Sequence, residues 1–385
     1  MHARPQPGFV KDRADMYIQH EDQLELCRKA LVDATELFVD TEFESRRSGT
    51  ELCLIQVTDG TNAFLIDAIQ IDDLTALKPV FDKPDMTWIL HAGRQDIELL
   101  MTAFDMTERP RIFDTQVGWS LVSAEYQVSL SYLEMRLLGL RKDKGKQTSN
   151  WKRRPLGEDQ LDYAIGDVLG LPAIYKFLLD ALEGHGRLDA GFEASGEVFK
   201  KRIQKREAIS LSSYRNLWQL SPKQQVGLKV LVKWFNQAGE RRGSPHWKSL
   251  FNIAAAQPDT LSELSEIKGV GRDWAKAIGT DLIKEIKAQS AEVSDESETH
   301  ALAPSPYSTF EQHLREAWLI SARADVCASA HIAPEVAFPS WLMKRLKTTI
   351  HDVSDPIYLA DEFTGWRTCL KSPWRAFCEE TSSSD

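Results

Sequence analysis

A chain of 385 residues is long enough for two or three domains, and 42% hydrophobic residues provide ample material for a buried core. No apolar run reaches the roughly 18 residues of a membrane span, and MHARPQPGFVKDRADMY lacks the apolar stretch of a secretory signal. The net charge of −10 at first argues against nucleic acid as a partner, since a polyanion-binding domain usually shows a basic footprint, although net charge hides its distribution.

Residues 1–17 are expected to form a flexible tail. Residues 36–69 read as three strands. LFVDTEF is apolar and β-rich, ELCLIQVTDG ends in the turn signal Asp59-Gly60, and NAFLIDAI follows at once, a pattern that predicts an antiparallel meander. The period then changes. DDLTALKPVF reads as a helix, MTWILHA as a strand, RQDIELLMTAF as a helix, and RIFDTQ as a short strand entering another helix. Strands alternating with helices imply parallel pairing, so the predicted fold is a mixed sheet flanked by helices. From about residue 158, EDQLDYAIGDVLGLPAIYKFLLDAL has helical apolar spacing.

Beyond residue 185 the reading is helical throughout. Ser221 and Pro222 supply an N-cap and a first-turn proline for a helix that buries Val226, Val230, Leu231 and Trp234. Residues 289–306 hold four acids and neither lysine, arginine nor aromatic, a linker composition. A second helical module is expected over 307–380, with a disordered TSSSD tail. The cysteines, Cys27, Cys53, Cys327, Cys369 and Cys378, form no C-x-x-C pair, which weighs against a disulfide framework or a zinc ribbon and fits a reducing cytoplasm.

Carboxylates carry the chemistry. Asp40 and Glu42 are two apart on a strand and therefore project from the same face. Asp40 follows the apolar Leu37-Phe38-Val39, where an acid without a partner or a metal is costly. Asp96 falls in the first turn of the helix after Gly93. Tyr163 and Asp167 are four apart on a helix and share a face, in a segment with little other charge. Hard divalent ions such as Mg²⁺ and Mn²⁺ prefer such oxygen donors, and a phenol beside them suits the orientation of an attacking water. Taken singly, each of these acids is ordinary: an exposed pair, a helix-dipole acid, a helical surface pair. Asp114 reads as a cap or supporting group, and His91 as a packed, hydrogen-bonded histidine.

Basic residues are concentrated in two runs. Residues 141–154, RKDKGKQTSNWKRR, carry a local +6, and KKRIQKR at 200–206 adds five cations. Beside an acidic metal cluster, the first run reads as a track for a phosphate backbone. Its candidates are Lys144, Lys146, Lys152, Arg153 and Arg154, with Trp151 available to stack on a base. Tyr126 is a further stacking candidate, and Trp119 fits a core position.

The order of these motifs resembles the DEDD superfamily of 3′–5′ exonucleases, in the subgroup with tyrosine in the last motif. It is most similar to the ribonuclease D family: VDTEF, FLIDAI, ILHAGRQDIELL, FDTQ, SNWKRRPL and DYAIGDVLGL follow that family's order over about residues 20–185. Arg94 and Gln95 stand where small or acidic residues are more usual. YRNLWQLSPKQQVGLKVLVKWFNQAGERRG and LSELSEIKGVGRDWAKAIGTDLI resemble the helicase-and-RNase-D C-terminal (HRDC) domain, and ASAHIAPEVAF with EFTGWRTCL resembles it more loosely.

The resemblance implies a ribonuclease H-like α/β exonuclease domain over 18–190. Two all-α HRDC-like domains would follow, at 208–288 and 307–380, joined by the 289–306 linker. It also implies two divalent metal ions, Mg²⁺ or Mn²⁺, held by Asp40, Glu42, Asp96 and Asp167, with Tyr163 positioning water. The implied reaction is the trimming of RNA 3′ ends one nucleotide at a time, with tRNA precursors as the substrate class, by a cytoplasmic monomer with no membrane attachment. A 3′–5′ DNA exonuclease and a catalytically silent nucleic-acid-binding module remain as alternatives.

Overall fold

Alternating side chains in residues 36–58 divide into two sets, and each set covers one face of a sheet. The computed structural model describes residues 16–46, 49–141, 149–199, 208–238, 244–293, 308–350 and 356–382. The strands are β1 (Tyr17–Ile18), β2 (Glu36–Arg46), β3 (Gly49–Thr58), β4 (Ala63–Asp67), β5 (Thr87–Leu90) and β6 (Arg111–Asp114), in the order β1-β4-β3-β2-β5-β6. β2, β3 and β4 pair antiparallel, whereas β5 pairs parallel to both β2 and β6, so the expected meander followed by β-α-β units is what forms. At the β3–β4 turn Gly60 takes φ 88, and the Asp59 carboxylate accepts the N–H groups of Thr61 (2.7 Å) and Asn62 (2.6 Å). β1 pairs parallel to β4. It falls at the edge of the expected tail because two residues are too few to display an alternating pattern.

The longer helices of this part are α1 (Glu21–Leu31), α2 (Arg94–Ala103), α3 (Thr115–Ser120), α4 (Glu158–Leu169), α5 (Leu171–Gly184) and α6 (Leu188–Phe199). On one face of the sheet Leu37, Val39, Ile55, Val57, Phe64 and Ile66 pack with Leu24 and Leu31 of α1 and with Ile97 and Leu100 of α2. On the other, Phe38, Ile89 and Phe113 pack with Ile174 and Leu178 of α5, and Leu54 and Leu65 pack with Ala164 of α4. Asp40 and Glu42 belong to this second face, by their alternation with Val39 and Thr41.

Residues 202–313 form a compact unit of their own. Its helices are α7 (Pro222–Ala238), α8 (Ser249–Ala256), α9 (Leu261–Glu266) and α10 (Arg272–Ala291). Ser221 caps α7 as the sequence suggests: its Oγ accepts the N–H of Gln224 (3.4 Å), and Gln224 Oε1 accepts the N–H of Ser221 (2.8 Å). Val230, Leu231 and Phe235 meet Leu250, Trp274 and Leu282 in a separate core. α10 runs through Ala291, into the expected linker, whose residues 294–306 lie outside the described ones.

Longer helices α11 (Phe310–Ala330), α12 (Ser340–Thr349) and α13 (Lys371–Ser382), with shorter helical turns between them, supply the helical content expected of 307–380. From Leu314 onward they belong to the same compact unit as the nuclease segment. Leu319, Val326, Leu342 and Trp374 join the cluster that holds Phe38, Phe113 and Leu178. Polar contacts reinforce the junction: Ala333 N–H donates to Ser120 O (2.8 Å), and the buried Arg367 donates to Glu197 (2.8 Å).

Candidate active site

β2 outruns its parallel neighbour. It pairs with β5 only over Glu36–Phe38, so Asp40, Thr41 and Glu42 extend past the end of β5 while β3 still supports them from the other side. The ladder register shifts between Glu42 and Phe43, which bends the strand just after the acid pair. The space beyond β5 is filled by the start of α2. Here the chain turns at Ala92 (φ 54) and Gly93, where an added Cβ would lie 2.6 Å from the Leu90 Cβ. Asp114 holds the turn by accepting the N–H groups of Ala92 (3.1 Å) and Gly93 (3.2 Å), and it caps α3 through Gln116 N–H (2.9 Å). It is the cap and supporting group that the sequence suggested. Asp96, in the first turn of α2 and buried, accepts the hydroxyl of Thr41.

α4 lies over the acid pair and contributes Tyr163 and the buried Asp167. Asp40, Glu42, Asp96, Tyr163 and Asp167 line one cleft of about 490 Å³ together with Thr41, Ser149 and Trp151. Carboxylate oxygens of Asp40, Glu42 and Asp167 lie within 4.8 Å of one another. A neighbouring cavity of about 470 Å³ shares Asp40, Tyr163 and Asp167 and continues past His91, Gln116, Gln127 and Ser129. His91 is hydrogen-bonded to Thr115 Oγ1 (2.9 Å) and Val128 O (2.9 Å), and burial lowers its pKa, so it braces the wall as a packed histidine.

Crowding of like charge shows in the titration of these groups. Burial, then Asp96, Asp167 and Glu42, raises Asp40 well above the usual carboxylate range. Glu42 is pushed up to about 8 by burial, then by Asp167 and Asp96. Asp96 is raised by burial against the opposing hydrogen bond from Thr41. Tyr163 is raised by burial and by the charges of Asp167, Glu42 and Asp40. Several acids that strain to ionise together, with only oxygen donors between them, fit a hard divalent cation.

Two members of the basic run, Trp151 and Arg154, take a different part from the expected one. Lys144 and Lys146 lie outside the described residues. Trp151 is buried, its ring 6.1 Å from that of Tyr163, so it packs under the phenol and has no free face for a base. Arg154 is turned inward to the buried Asp67, by Nε at 2.5 Å and Nη2 at 2.6 Å, and also binds Trp151 O (2.6 Å) and Cys53 O (2.9 Å). Asp67 also accepts the hydroxyl of Tyr17. Arg154 is therefore a structural clamp on the segment that carries Trp151. Lys152 pairs with Glu51 (2.6 Å) in a partly exposed bridge, and Arg153 is exposed. Trp119 is buried and Tyr126 is exposed. Sequence reasoning missed Thr41, Gln116 and Ser129, ordinary polar residues whose neighbours are distant in the chain.

Residues 16–183 match the 3'-5' exonuclease family, and residues 244–286 match the HRDC domain. Ribonuclease D of Zymomonas mobilis is 31% identical over 280 residues, covering 69% of this chain and 70% of that protein. The chain belongs to the ribonuclease D family. Ribonuclease D of Gluconacetobacter diazotrophicus is 30% identical over 274 residues, and the match spans about two thirds of each protein, 66% of both. Escherichia coli RNase D, described as an exoribonuclease involved in structured RNA processing, superposes with a TM-score of 0.62 at 23% identity, over 95% of this chain and 98% of that one. This superposition extends the ribonuclease D fold to the C-terminal helices. As a family member the chain is a 3′–5′ exoribonuclease, a hydrolase with an HRDC domain.

Proposed function

We propose that the chain removes nucleotides from RNA 3′ ends by metal-dependent hydrolysis at Asp40, Glu42, Asp96, Tyr163 and Asp167. The observation that carries this reading is the meeting of Asp40, Glu42 and Asp167 within 4.8 Å at the floor of an open cleft. Two divalent ions, Mg²⁺ or Mn²⁺, held by these carboxylates and Asp96, would supply Lewis-acid stabilisation and an activated nucleophile at neutral pH.

The chain's own groups do the rest. β2 and α4 hold the carboxylates in place, so little reorganisation is needed when the scissile phosphate arrives. The Tyr163 phenol keeps its proton in the metal-free cleft and is suited to orient a water by hydrogen bonding. The adjoining cavity, with Gln116, Gln127 and Ser129 on its wall, offers amide and hydroxyl groups to the terminal nucleotide, and such groups can recognise a ribose 2′-OH. That feature favours RNA over DNA. Structured precursors, tRNA precursors among them, are the proposed substrates, in line with the description of the Escherichia coli protein. Among the described residues no helix is long and apolar enough to cross a membrane; a cytoplasmic monomer is the proposed form.

A 5′-labelled RNA incubated with Mg²⁺ or Mn²⁺ should shorten in single-nucleotide steps, and EDTA should stop it. Asp40→Ala and Asp167→Asn should abolish the ladder without unfolding the protein. Stepwise shortening by either variant, or faster digestion of a matched DNA, would overturn the assignment.

A further inference from the structure

Gln56 stands directly opposite Asp40 in the β2–β3 ladder. Residues so paired present their side chains on the same face, with β-carbons about 4.5–5.5 Å apart. The Gln56 side chain is completely buried, and neither its Oε1 nor its Nε2 has a hydrogen-bond partner. Four other buried polar side chains of this sheet are bonded: Thr41 to Asp96, Thr58 to Asn62 O, Asp67 to Arg154, and Asp114 to the N–H groups of Ala92 and Gly93. An idle amide in such a place lowers stability, and an apolar side chain of the same size would remove that cost. The ladder neighbour of Gln56 on its other side is the apolar Leu65, which leaves Asp40 as the polar group set beside it across the strands.

We infer that Gln56 is a positioning residue for the metal site, its Nε2 donating to the Asp40 carboxylate when that carboxylate turns to a divalent cation. The amide then fixes one oxygen and leaves the other facing the cleft. It cannot compete for the metal as a charged ligand would, and it adds no further negative charge to a crowded face. The inference rests on Asp40 being a metal ligand. Groups that hydrogen-bond to metal ligands typically alter metal affinity by about ten- to a hundredfold.

Gln56→Met keeps the side-chain length and removes the amide; Gln56→Leu removes it in a second shape. Both are to be measured in the full-length protein by Mn²⁺ calorimetry and by thermal unfolding without metal, beside Asp40→Asn. The expected result is Mn²⁺ affinity about ten- to a hundredfold lower, with a metal-free melting temperature no lower than the parent's for the methionine variant. Unchanged Mn²⁺ affinity in whichever variant folds would overturn the inference, and so would a lower metal-free melting temperature in both, since the amide would then already be bonded. Loss of Mn²⁺ binding in Asp40→Asn alone would sink only the role of Gln56, whereas parent-like binding in Asp40→Asn would sink the metal-ligand reading beneath it.

Discussion

Replacing Arg154 with methionine separates two roles for a cation near the cleft, a contact to RNA phosphate and an internal clamp. Arg154 donates to both oxygens of Asp67, at 2.5 and 2.6 Å, and the Asp67 side chain is wholly buried. Removing the guanidinium leaves that carboxylate charged in a low-dielectric site, which costs about 3–5 kcal/mol for a buried pair. Asp67 retains the N–H groups of Ile69 (3.0 Å) and Gln70 (3.2 Å) as well as the Tyr17 hydroxyl, so the expected loss lies near the lower figure, about 3 kcal/mol. With a urea dependence of about 3 kcal/mol per molar for a unit of this size, the unfolding midpoint should fall by about 1 M. Adding Asp67→Asn should recover part of the loss, because the stranded charge is gone. A stability loss below about 1 kcal/mol, the scale of an exposed pair, together with weaker RNA binding, would refute the clamp and restore the phosphate contact.

Three other outcomes follow from the site. Glu42 titrates at about 8, above its value in an unfolded chain, so the metal-free native state retains a proton that the unfolded chain has released. Its contribution to stability is therefore full below the ordinary carboxylate range and is lost as the pH rises toward about 8. Metal-free melting temperatures should decline across that window, and Mn²⁺ binding near neutral pH should release protons; calorimetry in buffers of different ionisation enthalpy would expose an error by showing none. Tyr163→Phe should lower single-turnover hydrolysis by about a hundredfold, as misplacing a reactant does, while Mn²⁺ affinity stays at the parent level; equal loss of both would make the phenol a support for the acids. Gly93→Ala places a Cβ 2.6 Å from that of Leu90 and should cost about 1–3 kcal/mol in thermal unfolding; a silent substitution would show that the turn before Asp96 has slack.

Each residue of the proposed site is ordinary alone; their local placement and their order along the chain made them readable together. Asp40 and Glu42 follow an apolar strand, Asp96 follows a glycine turn, and Tyr163 and Asp167 share a helical face. The meander and the change to β-α-β were readable for the same reason, since hydrophobic period is a property of neighbours in the chain. What escaped depends on partners far away. Nothing around Arg154 announces Asp67, 87 residues earlier, so a cation in a basic run reads as solvated although it is turned inward. Trp151 beside three cations reads as a stacking platform, although Tyr163 covers it. The helical reading of 307–380 does not say against what those helices pack, and a shared core with α5 looks the same in sequence as an independent one. Gln56 carries no signal at all, because the meaning of a buried amide lies in the strand opposite.

The shared core has a consequence for synthesis. The residues of β2, β5 and β6 that face α5 are made early, yet their cluster also contains Leu342, Trp374 and Cys378, near the end of the chain. The intervening residues 202–313 belong to the other compact unit and, among the described residues, add nothing to that cluster. At about 5–20 residues per second, the nuclease segment waits on the order of ten to forty seconds for its last packing partners. During that wait an apolar surface made for α11–α13 is open to solvent, so a nascent chain stalled or truncated before α13 is a candidate for chaperone capture and for aggregation, even with every residue of the acid site already made.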